Sequence, residues 1–294
     1  MNKNTTVAAT HAFGNITVTE KLMHRNNTQW RYTVSGNGDR FILAILSNIT
    51  GHLLALPLAE EFRDTYTTIA LSVPPIQSFY ETADGLKALL DCEGVRTCNV
   101  IGHSNGGVHL QSLISRYPNV ADKIIFSHSL TSMDKNDAYT TNASEVKAYK
   151  LMRGMLKVLP ASMLTTALGR MVFPKFYLQS GQNDTDRLIK LCKEDMKKYS
   201  KRDFLMMASC MEDFLFNYTF TSEPYLNKPQ EVLIVDSPTD KIANPMQRAQ
   251  MLKLCPGAQE YHFRSGGHVT IINCRDEYFS LLNRFWECRC LAEG

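Results

Sequence analysis

Thr97-Cys98-Asn99-Val100-Ile101-Gly102-His103-Ser104-Asn105-Gly106-Gly107-Val108 is the stretch that decides how this chain folds. Its apolar run ends at a glycine, a serine follows two residues later, and Val108, Leu110, Leu113 and Ile114 then recur at helical spacing. The segment therefore reads as a buried strand, a sharp turn and a helix. In such a turn Ser104 is held in a strained backbone conformation, while Gly102 and Gly106 keep side chains away where strand and helix approach closely. Its hydroxyl is lifted above the sheet, beside a helix N-terminus whose free N–H groups stabilise developing negative charge. Ser104 is the candidate nucleophile.

Upstream of this turn, Asn15 to Leu22 and Thr28 to Ser35 are β-rich runs around the polar His24-Arg25-Asn26-Asn27, which predicts an opening hairpin. Phe41 to Leu46 is continuously apolar, as suits a strand buried on both faces. A short helix is expected near Pro57, a strand over Thr65 to Val73, a helix over Phe79 to Leu90, and a further strand over Lys123 to His128. Alternating strands and helices predict an α/β fold, a mostly parallel sheet with helices on both faces.

The alternation stops between residues 134 and 227. There the pattern is helical over Ala143 to Leu159, Pro160 to Val172, Asp184 to Tyr199 and Arg202 to Phe216. Strands and helices resume with Glu231 to Val235, Pro245 to Leu254, Gln259 to Phe263 and Ile271 to about Glu287. We therefore expect an α/β core from residues 1–133 and 228–294, with residues 134–227 inserted as an all-helical cap over the C-terminal ends of the strands, where ligands bind in such sheets. The cap is rich in Met and Leu, including Met152, Met155, Met163, Leu164, Leu168, Met171, Met206, Met207 and Met211. Most of these form its own core; those facing Ser104 would line an apolar pocket for an acyl or aromatic group.

A serine hydroxyl needs a base to take its proton and a carboxylate to orient that base. Val232 to Asp240 is a strand running into a turn that ends in a carboxylate, and the next strand ends in Ser265-Gly266-Gly267-His268. The order serine, acid, histidine is the one expected after a Gly-x-Ser-x-Gly turn. His268 is the candidate base and Asp240 the favoured acid, with Asp236 as the alternative that caps or braces the turn.

Composition narrows the remaining classes. A formal net charge of +3 over 294 residues gives no argument for nucleic acid or an anionic membrane surface. The polar N-terminus lacks a signal-peptide pattern, and the apolar-leaning stretch from Val158 to Phe173 is interrupted by Pro160 and Arg170, so the expectation is a cytoplasmic protein without a membrane span. None of the eight cysteines shows zinc-ligand spacing; free thiols, no metal and no cofactor are expected.

On Gly102-His103-Ser104-Asn105-Gly106, Asp240 and Gly267-His268, the chain resembles the α/β-hydrolase superfamily over essentially its whole length. That resemblance implies an acyl hydrolase of small or medium esters, or a C–C bond hydrolase or acyltransferase with the same three residues. Val232 to Asp240, Met251 to Ala258 and Ser265-Gly266-Gly267 also resemble the maspardin-like proteins, which implies a non-catalytic binding or adaptor role with a protein partner. Many α/β-hydrolases carry His-Gly after the third core strand, and Ser47-Asn48 stands there here. By that alignment the oxyanion donors are the backbone N–H groups of Ile49 and Asn105, and the Ser47-Asn48 departure bears on the first of them.

Overall fold

A computed structural model of the chain describes residues 5–76, 78–160, 162–163, 166 and 183–287. Its strands are β1 (Thr5–Phe13), β2 (Ile16–Arg25), β3 (Thr28–Ser35), β4 (Arg40–Ser47), β5 (Tyr66–Ser72), β6 (Cys98–His103), β7 (Ala121–Ser127), β8 (Val232–Asp236) and β9 (Gln259–His262). They form one sheet in the order β1-β2-β3-β5-β4-β6-β7-β8-β9. Pairing is antiparallel from β1 to β5 and parallel from β5 through β4 to β9. The opening hairpin turns at Asn26 and Asn27, at φ 48° and 58°. Two successive left-handed residues make the turn that suits strand twist, and asparagine tolerates that region better than most side chains.

The helices are α1 (Gly51–Leu54), α2 (Leu56–Glu61), α3 (Tyr80–Cys92), α4 (Asn105–Arg116), α5 (Ala143–Val158), α6 (Asn183–Met196), α7 (Lys201–Asn217), α8 (Glu223–Leu226), α9 (Pro245–Leu254), α10 (Thr270–Asn273) and α11 (Arg275–Trp286). Strand β4 shows why both faces of the sheet are covered. Leu43 and Ile45 join a core with Leu86, Leu89, Leu110 and Leu113, whereas Ile42, Ala44 and Leu46 join another with Leu58, Phe62, Phe279 and Trp286. Successive strand side chains point to opposite faces, so a continuously apolar strand needs helices on both.

The helices between β7 and β8 pack into these cores. Cys210, Met211, Phe214 and Leu215 of α7 belong to the core of α3 and α4, with the Phe214 ring 5.4 Å from that of Phe79. Leu188, Cys192 and Met196 of α6 join the opposite core. A third, smaller cluster of Leu156, Phe204 and Met207 packs with Met152, Met155 and Ile49. The expected helix over 160–172, with Leu164, Leu168 and Met171, lies largely outside the described residues. Met163 is exposed.

Two local expectations are corrected. Strand β1 lies in the stretch that sequence patterning left as a polar N-terminus, because it is an exposed edge strand with no buried face to pattern. The terminal helix is two helices, α10 and α11, separated at Cys274, whose φ of −128° and ψ of 45° break the helical path. The six described cysteines, Cys92, Cys98, Cys192, Cys210, Cys255 and Cys274, are free thiols. Among the described residues no helix is long and apolar enough to cross a membrane.

Candidate active site

Parallel register brings the functional segments to one edge of the sheet. Ile45 of β4 pairs with Gly102, His103 of β6 with Ser127, Ser127 of β7 with Val235, and Asp236 of β8 with His262. Ser104, His128, the 237–240 turn and the 264–268 loop therefore leave neighbouring strands at the same end.

Ser104 has φ 54° and ψ −128°, a strained conformation for a residue with a side chain. Surrounding bonds hold it there. Its N–H donates to the Ser127 carbonyl at 2.9 Å, and its own carbonyl accepts from the Gly107 N–H at 3.0 Å and the Ser129 hydroxyl at 3.1 Å. The turn admits nothing larger than glycine at position 106, where an added Cβ would lie 1.8 Å from the Ile45 carbonyl oxygen. Ser104 is half-buried, and Asn105 opens α4. The first N–H groups of a helix have no intrahelical acceptor, which leaves the Asn105 N–H available to an oxyanion. The Asn105 side-chain amide donates instead to the Tyr149 hydroxyl of α5 at 2.7 Å.

The structure brings Asp240 and His268 together. His268 Nδ1 lies 2.8 Å from Asp240 Oδ2, both side chains being buried. Gly266 and Gly267, at φ 105° and 64°, give the loop the turn that swings His268 inward. The His268 ring stands 5.0 Å from that of His103, the residue preceding Ser104. His103 is a packed histidine: its Nδ1 is 3.2 Å from the Ser127 hydroxyl, and burial holds its pKa well below the usual range. Asp236, the alternative acid, is engaged elsewhere, 2.7 Å from Arg248 Nε and 2.7 Å from His262 Nδ1.

Sequence reasoning missed His128. Its Nδ1 reaches the same Asp240 oxygen at 2.8 Å, and its Nε2 meets the Thr270 hydroxyl at 2.9 Å. A carboxylate only accepts, so both Nδ1 atoms carry protons and donate to Oδ2. The Asp240 Oδ1 accepts from the Ile242 N–H at 2.7 Å and the Ala243 N–H at 3.1 Å. Burial pushes the Asp240 carboxyl pKa up, but the hydrogen bonds from His128 and His268 outweigh it and hold the group far below the usual carboxylate range. Burial in turn lowers the pKa of His128, and the carboxylate only partly compensates. His128 sits at φ 50°, beyond the last residue of β7. No sequence signal distinguishes it from an ordinary strand-end residue.

His128, Asp240 and His268 offer ligand atoms within 4.8 Å of one another. Both Nδ1 atoms donate to Oδ2, so a metal ion held through them would displace both imidazole protons. The expected oxyanion loop is more constrained than the alignment implied: the Ile49 N–H donates to the Ser47 hydroxyl at 3.2 Å. Ile49 can serve an oxyanion only after that local bond opens. Thr50, which follows, stands at φ 60°.

No protein-family model and no curated protein sequence matches the chain. The likeness to maspardin-like proteins therefore rests on the quoted stretches alone. Solved structures do match. An enol-lactonase from Burkholderia xenovorans LB400 aligns at a TM-score of 0.68 and 13% identity, covering 90% of this chain and 99% of that one. Esterase RhEst1 from Rhodococcus sp. ECU1013 aligns at 0.66 and 16%, covering 92% and 98%. The 2-hydroxy-6-oxo-6-phenylhexa-2,4-dienoate hydrolase BphD from Rhodococcus sp. strain RHA1 aligns at 0.70 and 13%, covering 93% and 100%. With its mostly parallel sheet and its helices on both faces, the chain has the α/β-hydrolase fold.

Proposed function

We propose that this α/β-hydrolase-fold chain is a serine hydrolase of small or medium carboxylic esters. The observation that carries the reading is the 2.8 Å hydrogen bond between His268 Nδ1 and Asp240, at the sheet edge where Ser104 is held strained. With Nδ1–H committed to the carboxylate, the basic nitrogen of His268 is Nε2. Nε2 takes the Ser104 proton as Oγ attacks the acyl carbonyl, and Asp240 stabilises the imidazolium that forms. The Asn105 N–H, joined by that of Ile49 once Ser47 releases it, holds the oxyanion. His268 then protonates the leaving alcohol, takes a proton from water as that water attacks the acyl group, and returns the proton to Ser104 Oγ as the acid is freed. The apolar cluster of Ile49, Met152, Met155, Phe204 and Met207 supports an acyl group entering beside Ile49, beneath a cap formed by residues 134–227.

The engaged Ile49 N–H favours a second reading, a binding protein in which this edge no longer turns over. Carbon–carbon hydrolysis would use the same three residues with a different pocket. Hydrolysis of p-nitrophenyl esters from acetate to octanoate, by the native chain and Ser104→Ala, separates these readings. Turnover that rises with chain length and is lost by at least a thousandfold in the variant supports the esterase. A folded native chain with no turnover of any ester refutes it.

A further inference from the structure

An oxyanion at this edge is one donor short. The Asn105 N–H is available at the start of α4, but the Ile49 N–H is tied to the Ser47 hydroxyl at 3.2 Å. Helix α5 lies across the same edge. Val146, Tyr149, Met152 and Leu156 stand three or four positions apart and so share one of its faces. Met152 and Leu156 belong to the cluster against which Ile49 packs, while the Tyr149 hydroxyl accepts from the Asn105 side-chain amide at 2.7 Å. One face of α5 therefore spans the space between the two candidate oxyanion residues, and its polar group is a tyrosine hydroxyl at the Asn105 end.

That hydroxyl is held and still has a proton to give. A tyrosine hydroxyl both accepts and donates. Accepting from Asn105 uses the first capacity, and among the described residues nothing accepts its proton. The ring packs against the core that contains Cys210, Met211 and Phe214. Burial pushes the Tyr149 pKa up by more than the Asn105 hydrogen bond pulls it down, so the hydroxyl keeps its proton at neutral pH. Donation from Asn105 polarises the O–H and makes it a stronger donor in turn. Ser104, Asn105 and Tyr149 are each half-buried, so the space they border is not sealed from solvent.

We propose that Tyr149 is a catalytic residue, the donor that holds the oxyanion together with the Asn105 N–H while Ser47 keeps the Ile49 N–H engaged. The inference rests on the esterase reading and adds a residue to that site. As Ser104 Oγ bonds to the acyl carbon, its proton passes to His268 Nε2 and the carbonyl π pair moves onto the acyl oxygen. That oxygen accepts from the Asn105 N–H and the Tyr149 O–H, and the tyrosine proton stays on its own oxygen. When the pair returns to reform the carbonyl, the alcohol leaves with the proton held by His268.

Tyr149→Phe removes the hydroxyl and keeps the ring. Hydrolysis of p-nitrophenyl butyrate tests it, together with inhibition by the trifluoromethyl ketone of the same chain length, which adds to a reactive serine as a tetrahedral oxyanion. We expect kcat to fall about a hundredfold, the lower end of what one oxyanion donor contributes, and ketone binding to weaken by a similar factor. KM should stay within about threefold, because the planar ester does not use the donor. Asn105→Ala breaks the tie to α5 but keeps both the tyrosine hydroxyl and the backbone N–H, so its loss in kcat should be smaller than that of Tyr149→Phe. Native kcat in Tyr149→Phe overturns the assignment, as does a loss that appears in KM alone, one that spares ketone binding, or one that Asn105→Ala matches, since each of these makes the contact a structural tie of the helix. These outcomes leave the esterase reading standing when the native chain is active and Ser104→Ala is not. A folded native chain that neither turns over the ester nor binds the ketone removes that reading, and the Tyr149 assignment with it.

Discussion

Replacing His128 tests whether the second histidine on Asp240 positions the acid or merely fills space. His128→Ala removes one charge-assisted hydrogen bond to Asp240 Oδ2, of about 2 kcal/mol, and leaves the buried Thr270 hydroxyl without its partner, another 1–3 kcal/mol or so. The ring is fully buried, so a cavity adds to these terms. The expected loss of stability is about 4–5 kcal/mol. His128→Asn separates positioning from packing, because an asparagine amide nitrogen can occupy the place of Nδ1 and asparagine tolerates the φ of 50° found there. It should retain the Asp240 bond and lose only about 1–2 kcal/mol. The assay is urea unfolding of the three proteins together with the rate at which a fluorophosphonate modifies Ser104. At roughly 1.4 kcal/mol per tenfold, loss of the Asp240 bond should slow modification about thirtyfold in His128→Ala, and His128→Asn should recover most of it. The reasoning is refuted if His128→Ala is as stable and as reactive as the native chain, or if His128→Asn behaves no better than His128→Ala.

Gly106→Ala places a Cβ against the Ile45 carbonyl and forces α4 away from β4; we expect about 1–3 kcal/mol of destabilisation in urea and slower modification of Ser104. Ser47→Ala releases the Ile49 N–H, so ester turnover should rise by up to about tenfold, within the hundredfold or more that one oxyanion donor contributes, and a fall would show that Ser47 orders the loop. His52, His103, His109 and His128 all have pKa values lowered chiefly by burial, to about 4 for His52 and about 3 for His109. Their unfolded forms bind protons first, so stability is complete above about pH 6.5 and falls with acidification at up to about 5 kcal/mol per pH unit for the four together; a urea midpoint independent of pH between 7 and 5 would contradict this.

The stretch around Ser104 and the alternating apolar runs were legible because burial on two faces leaves no freedom in residue type. Gly102 and Gly106 stand where backbones touch, and Ile42 to Leu46 must satisfy two cores. The sequence favoured Asp240 over Asp236 from its place in the turn; what it could not show is that Arg248 and His262 stand against Asp236 while His268 and His128 stand against Asp240. His128 and Tyr149 were invisible because their roles come from contacts across 112 and 44 positions of sequence. Strand β1 was hidden by its polar, exposed face. The Ile49 bond to Ser47 depends on a local loop path that residue identity alone does not specify.

Whether Ser104 is an activated nucleophile is read out by peptide mapping after treatment with a small fluorophosphonate. We expect one adduct, located on Ser104, formed by the native chain and absent from His268→Ala under the same conditions. A folded native chain that gains no adduct, or gains it on another residue or equally in His268→Ala, would contradict it.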